Sequence, residues 1–203
     1  TVSVVPIPTE LALRTRDWVE GNIRKVDAAT GGRVAYVWVP NTANAGFAYF
    51  TRYFYPQSSK DAVILDERYN GGGELSVAQH LASLIAGNGL SGRLLGTLSF
   101  NDKHTDQNQQ VSFQTVSNAL DLKEVYFITT GSTASASEFV INALKPYAQV
   151  YTVGAATFGK PVGENGFNIC SDVLYPITFK IENASGYGDY FDGLPVTCAA
   201  TDD

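Results

Sequence analysis

The sequence predicts an α/β fold with a largely parallel sheet and flanking helices. Three observations carry that expectation. Short apolar runs alternate with segments whose apolar residues recur at helical spacing. Two of the runs, 62–65 (AVIL) and 125–129 (VYFIT), hold no charged residue, as strands buried on both faces do. Each leads into a loop rich in glycine or serine and then a new helical pattern, the order of a strand–helix–strand unit.

The elements follow in sequence. Pro8-Thr9-Glu10 opens a helix that Thr9 is placed to cap; Val19, Ile23 and Val26 share one face, and Gly31-Gly32 ends it. Residues 33–39 (RVAYVWV) are β-branched and aromatic, a strand broken at Pro40-Asn41. Phe47, Phe50 and Phe54 mark the core face of a second helix, which stops at Pro56. The strand at 62–65 runs into Asp66-Glu67-Arg68-Tyr69-Asn70-Gly71-Gly72-Gly73. A helix resumes at Glu74, with Ala78, Ala82 and Ile85 on one face and Gly87-Asn88-Gly89 at its end. A strand is expected over 93–100 and a polar surface loop over 101–110. The strand at 125–129 leads through Gly131-Ser132-Thr133-Ala134-Ser135-Ala136-Ser137-Glu138 into a helix reaching about Tyr147. The strand at 150–153 leads to Thr157-Phe158-Gly159-Lys160, and 173–182 alternates as a late strand. A single domain is expected over 1–203, with a helical lead-in at 1–32 and a strand and cysteine-bearing segment at 166–203.

Bulk composition narrows the function classes. The 203 residues are 44% hydrophobic and 17% charged, the balance of a globular chain. The net charge of −6, without a basic cluster, disfavours nucleic acid and anionic membranes as partners. The longest apolar runs, such as 34–39, are too short to cross a bilayer. No methionine occurs, even at position 1, so the chain is expected to be a piece of something longer. Cys170 and Cys198, the two cysteines, form a disulfide candidate that would contribute about 3–4 kcal/mol if unstrained and would imply an oxidising compartment. The alternative is two unpaired thiols.

In parallel sheets, sites form at the carboxyl ends of strands, where all three glycine-bearing loops fall. The N–H groups of Asn70-Gly71-Gly72-Gly73, at a helix start, can face a negative oxygen. The segment lacks the Gly-Lys-Ser/Thr ending of a phosphate loop. Ser132, Ser135 and Ser137 compete as nucleophiles at the strand-to-helix turn. Glu138 suits the helix dipole and needs no catalytic role. Lys160 acts as a general base only when neutral; Phe158, Pro161 and Val162 offer an apolar wall. His80 and His104 lie in no nucleophile-like context, which disfavours a Ser-His-Asp triad, and they have no metal-site spacing with the cysteines.

Together, 65–73 (LDERYNGGG), 131–138 (GSTASASE) and 157–160 (TFGK) resemble the three motifs of the C-terminal processing, or tail-specific, serine peptidases. The resemblance implies a crotonase-like α/β fold and a Ser-Lys dyad. By motif position, Ser135 matches the nucleophile and Lys160 the general base. The N–H groups of Ala136 and of a glycine in 71–73, most closely Gly72, match the oxyanion hole. The first part of the chain is similar to tricorn protease in VVPIP, RDWVE, GGRVAYV and FYPQ. That branch uses histidine and an acidic residue after the nucleophile, whereas here Ala136 follows Ser135, so the dyad is favoured. Where the processing peptidases carry a lysine-orienting glutamine, this chain has Glu164, whose charge would hold the lysine protonated. The resemblance implies endopeptidase action on unfolded or C-terminal polypeptide segments, no metal or cofactor, and a periplasmic or secreted setting. Two other readings share the fold: a non-catalytic peptide-binding relic and a crotonase-like acyl-CoA enzyme.

Overall fold

The computed structural model describes residues 8–201. The first helix, α1 (Leu11–Thr30), ends at Gly31 in a left-handed conformation, φ 61°. It lies on β1 (Val34–Trp38), as does α2 (Asn44–Phe54). Phe50 and Phe54 of α2 are buried, so their spacing does mark a core face. Then come β2 (Ala62–Asp66), α3 (Leu75–Ala86), β3 (Leu94–Phe100) and β4 (Gln109–Ser112). The second half holds β5 (Glu124–Thr129), α4 (Ala136–Leu144), β6 (Gln149–Gly154), β7 (Val162–Glu164), β8 (Phe167–Ile169), β9 (Asp172–Leu174), β10 (Ile177–Asn183) and β11 (Cys198–Ala199).

The main sheet is parallel throughout, in the order β1-β2-β5-β6-β11. Its centre is apolar because it is covered: Val63, Leu65, Val125 and Phe127 are all fully buried. The carboxyl ends of β2, β5 and β6 open into the glycine run, the serine turn and the lysine loop. The α4 helix is buried along its length and touches β3, β6 and β10, joining the main sheet to a second layer.

That second layer is an antiparallel sheet, β4-β3-β10-β7, absent from the sequence expectation. The segment expected as a loop over 101–110 ends in β4, an exposed edge strand pairing with β3. The late strand is split into β9 and β10 at Tyr175-Pro176, because proline cannot donate to the ladder. On the far side of this break, β8 and β9 pair as a separate two-stranded hairpin.

The disulfide expectation is overturned. Cys170 and Cys198 are both free, exposed thiols. Cys170 lies between β8 and β9 at the hairpin turn, whereas Cys198 pairs beside Val153 in the main sheet, so the two belong to different structural units. Among the described residues, no helix is long and apolar enough to cross a membrane.

Candidate active site

The glycine run comes first because it fixes the height of the backbone at the site. Asp66, fully buried, accepts from the Tyr36 hydroxyl at 2.6 Å and from Arg68 Nη2 at 2.7 Å, which anchors the end of β2. Beyond it, the Asn70 carbonyl accepts from Ala134 N–H at 3.0 Å and the Ser137 hydroxyl at 3.2 Å. The run is thereby bonded directly to the serine turn. Gly72 sits at φ 100°, and a Cβ there would fall 2.8 Å from Ser135 Cβ and 3.0 Å from Ala136 N. Only glycine lets this backbone and the serine turn approach so closely.

The three serines separate cleanly. Ser137 is fully buried and shares a 3.0 Å hydrogen bond with Thr42 Oγ1. Ser132 is exposed and outside the cleft. Ser135 stands at the N-cap of α4 with φ 57°, ψ −118°, a conformation unfavourable for a non-glycine residue and one that stores backbone strain at functional turns. It lines a cleft of about 660 Å³ together with Ala136, Lys160 and Glu164. Gly71 and Gly73 form another wall, and Leu98, Phe100, Phe179 and Ile181 form an apolar floor. The structure thus brings Ser135, Ala136, Lys160 and the glycine run to one place. Neither His80, which faces Phe47 and Gln114, nor the exposed His104 lines it.

Lys160 Nζ donates to Glu164 Oε1 at 2.7 Å, and both side chains are about one-third exposed. Glu164, four residues after the lysine, is therefore the group on which the Lys160 side chain rests.

Sequence reasoning missed the part played by Glu138. This carboxylate is fully buried and accepts four hydrogen bonds. Oε2 takes Ser135 N–H at 2.7 Å and Lys160 N–H at 2.8 Å; Oε1 takes Gly159 N–H at 2.7 Å and the Thr157 hydroxyl at 2.5 Å. One anion thus ties the serine turn to the lysine loop. The signal in the sequence was the capping-box spacing Ser135-x-x-Glu138.

Glu67 was also overlooked. It is fully buried beside Asp66 and Glu138, and neither carboxyl oxygen has a hydrogen-bond partner. Burial, then the charges of Asp66 and Glu138, hold its pKa well above the usual carboxylate range. No group of three or more potential metal ligands occurs among the described residues.

Residues 33–186 match Peptidase family S41. The chain belongs to that family. Its curated relatives include tricorn protease homolog 2 of Streptomyces coelicolor, 32% identical over 167 residues, spanning 81% of this chain and 13% of that protein. The tricorn protease of Thermoplasma acidophilum is 39% identical over 64 residues, 32% of this chain and 6% of that one. This S41 chain therefore spans a small fraction of the relatives it matches. Among solved structures, an S41 protease from Bacteroides fragilis superposes with TM-score 0.74 at 29% identity, over 83% of this chain and 47% of that chain. The photosystem II D1 C-terminal processing protease shares the fold, with TM-score 0.65 at 19% identity over 83% of this chain and 42% of that one. The α/β architecture of parallel sheet and flanking helices is that of the S41 peptidases.

Proposed function

We propose that this S41 chain is the catalytic core of a serine endopeptidase working through a Ser135-Lys160 dyad. The observation that carries the reading is the shared cleft: Ser135 and Lys160 line it together, with the Gly72 backbone against the serine. In this mechanism Ser135 Oγ attacks the scissile carbonyl while the neutral Lys160 amine accepts the hydroxyl proton. The N–H of Ala136, at the positive end of α4, receives the tetrahedral oxyanion; the N–H of Gly72, which donates to Asn70 Oδ1 at 3.0 Å, joins it only by leaving that partner. Each such donor contributes about 3–4 kcal/mol. Lys160 then passes its proton to the leaving amine, and water resolves the acyl-enzyme by the reverse route. The Lys160 side chain must first leave Glu164, so catalysis begins with a swing of the amine toward Ser135.

The fold fits the crotonase-like arrangement, in which backbone amides at strand ends form the oxyanion site. The substrate is an unfolded or C-terminal polypeptide segment, held as an extended strand. The outer edge of β7 supports this: it ends its sheet, and Gly163 and Glu164 line the cleft. A periplasmic or secreted setting rests on the family resemblance alone, since the thiols are unpaired. Rapid quenching during turnover, followed by peptide mass spectrometry, tests the mechanism. A substrate-derived acyl group on the peptide containing Ser135 supports it, and burst-free turnover with unmodified Ser135 contradicts it.

A further inference from the structure

The hairpin formed by β8 and β9 exposes apolar side chains and, among the described residues, pairs with no other strand. Isolated two-stranded hairpins are marginal in water, so exposed apolar residues on one call for an explanation. The pairing Ile177↔Glu164 in the second sheet and Phe167↔Leu174 in the hairpin keep one register across the proline break. The hairpin is thus the outward continuation of β7 and β10, an arm growing from the cleft.

The side chains show the same continuity. Ile181 and Phe179 lie in the cleft floor, and Tyr175, at the root of the arm, lines the cleft with them. Alternation from Tyr175, in the register shared by Ile177↔Glu164 and Phe167↔Leu174, puts Ile177 on the Tyr175 face. A Cβ on Gly166 would meet both the Tyr175 ring, at 2.9 Å, and Val173 Cγ1, at 3.3 Å, so Val173 shares that side as well. Val173, Tyr175 and Ile177 therefore form one apolar row at period two, and the stripe continues past a register shift into Phe179 and Ile181 of the cleft floor. Its inner end is buried, with Ile181 at 5% exposure; its outer end is open, with Ile177 and Tyr175 at 63% and Val173 at 47%. The unpaired edge of β7 leads to the outer edge of β8 alongside it.

We infer that the arm is an extended-substrate subsite: an apolar, unfolded polypeptide that enters the cleft along β7 continues along the arm, laying alternate side chains on Ile177, Tyr175 and Val173. Residues 162–169 span about 26 Å of strand, so a segment of about eight residues is needed to use the whole path. The inference rests on the peptidase reading for its choice of occupant. A second copy of this chain is the competing occupant.

Cys170, exposed at the arm's turn, supplies the probe. An environment-sensitive fluorophore is attached there in a Cys198→Ser, Ser135→Ala chain, and β-casein, an unfolded apolar polypeptide, is titrated in. Saturable fluorescence change is expected, with Kd raised about tenfold when Val173, Tyr175 and Ile177 are all replaced by serine. These side chains are exposed, and circular dichroism checks that the variant folds. No saturable change, or equal affinity in the triple variant, overturns the inference. So does a signal that follows protein concentration alone, with a dimer in sedimentation velocity. Binding is read without turnover, so its failure is distinct from failure of the dyad. Hydrolysis of a tetrapeptide ester by the unlabelled chain, too short a substrate to reach the arm, tests the dyad by itself.

Discussion

Lys160 Nζ and Glu164 Oε1 are joined by a hydrogen bond of 2.7 Å at the mouth of the cleft that Ser135 lines. The pair is partly solvated, so its mutual attraction is modest, but it keeps the Lys160 amine on Glu164 and away from the hydroxyl proton it is proposed to accept. Glu164→Gln keeps a hydrogen-bond acceptor in place and removes the opposing charge. The variant's kcat/KM at pH 7 is predicted to rise by about three- to tenfold over the parent, read by initial rates on an unfolded substrate. An unchanged or lower rate would show that Glu164 does more than hold the ammonium.

Glu138 makes the opposite prediction. Its four hydrogen bonds join the serine turn to the lysine loop, the two segments that carry Ser135 and Lys160. In Glu138→Gln the amide nitrogen is a donor aimed at donors, and at least one N–H or O–H loses its partner in a buried site. Turnover is predicted to fall about a hundredfold, chiefly in kcat, because a misplacement of about 1 Å is enough to cost that factor. Denaturant unfolding should show a loss of about 3 kcal/mol. Wild-type kcat in this variant would remove Glu138 from the catalytic arrangement.

Glu67 governs a pH dependence of stability. Its folded-state pKa is raised, chiefly by burial, above that of the unfolded chain, about 4.5. Below that unfolded value both states hold the proton. Above it the unfolded chain releases a proton that the folded protein keeps, so stability falls as pH rises toward the folded pKa. The slope is about 1.4 kcal/mol per pH unit for one group. Glu67→Gln lacks this term, so its stability relative to the parent should rise as pH increases above about 4.5 in urea titrations. Parallel curves would mean that Glu67 ionises in the folded protein.

The parts of the fold visible in the sequence are those decided by local chemistry. The apolar runs 62–65 and 125–129 became central parallel strands because a strand covered on both faces favours apolar side chains. The glycine run, Ser135 and Lys160 stood out because strained turns and close backbone approach demand particular residue types. What was hidden depends on distant chain. The β4 strand lies on an exposed edge, where polar side chains give no alternation to read. Glu138 looked like a helix cap, since its other partners, Thr157, Gly159 and Lys160, come from a loop that folds back beyond β6. The burial of Glu67 depends on where α4 comes to rest, and the paired reading of Cys170 and Cys198 failed because cysteine number says nothing about which units carry them.

The central claim is that Ser135 and Lys160 act as one catalytic unit. Its most direct test is cleavage of an unfolded protein from pH 6 to pH 10, followed by mass spectrometry, comparing the parent with Ser135→Ala and Lys160→Ala. The dyad predicts cleavage by the parent that rises toward alkaline pH, as for any reaction whose general base must be unprotonated, and loss of more than about 1,000-fold in both variants. Cleavage that persists in either variant, with both still folded, would contradict it.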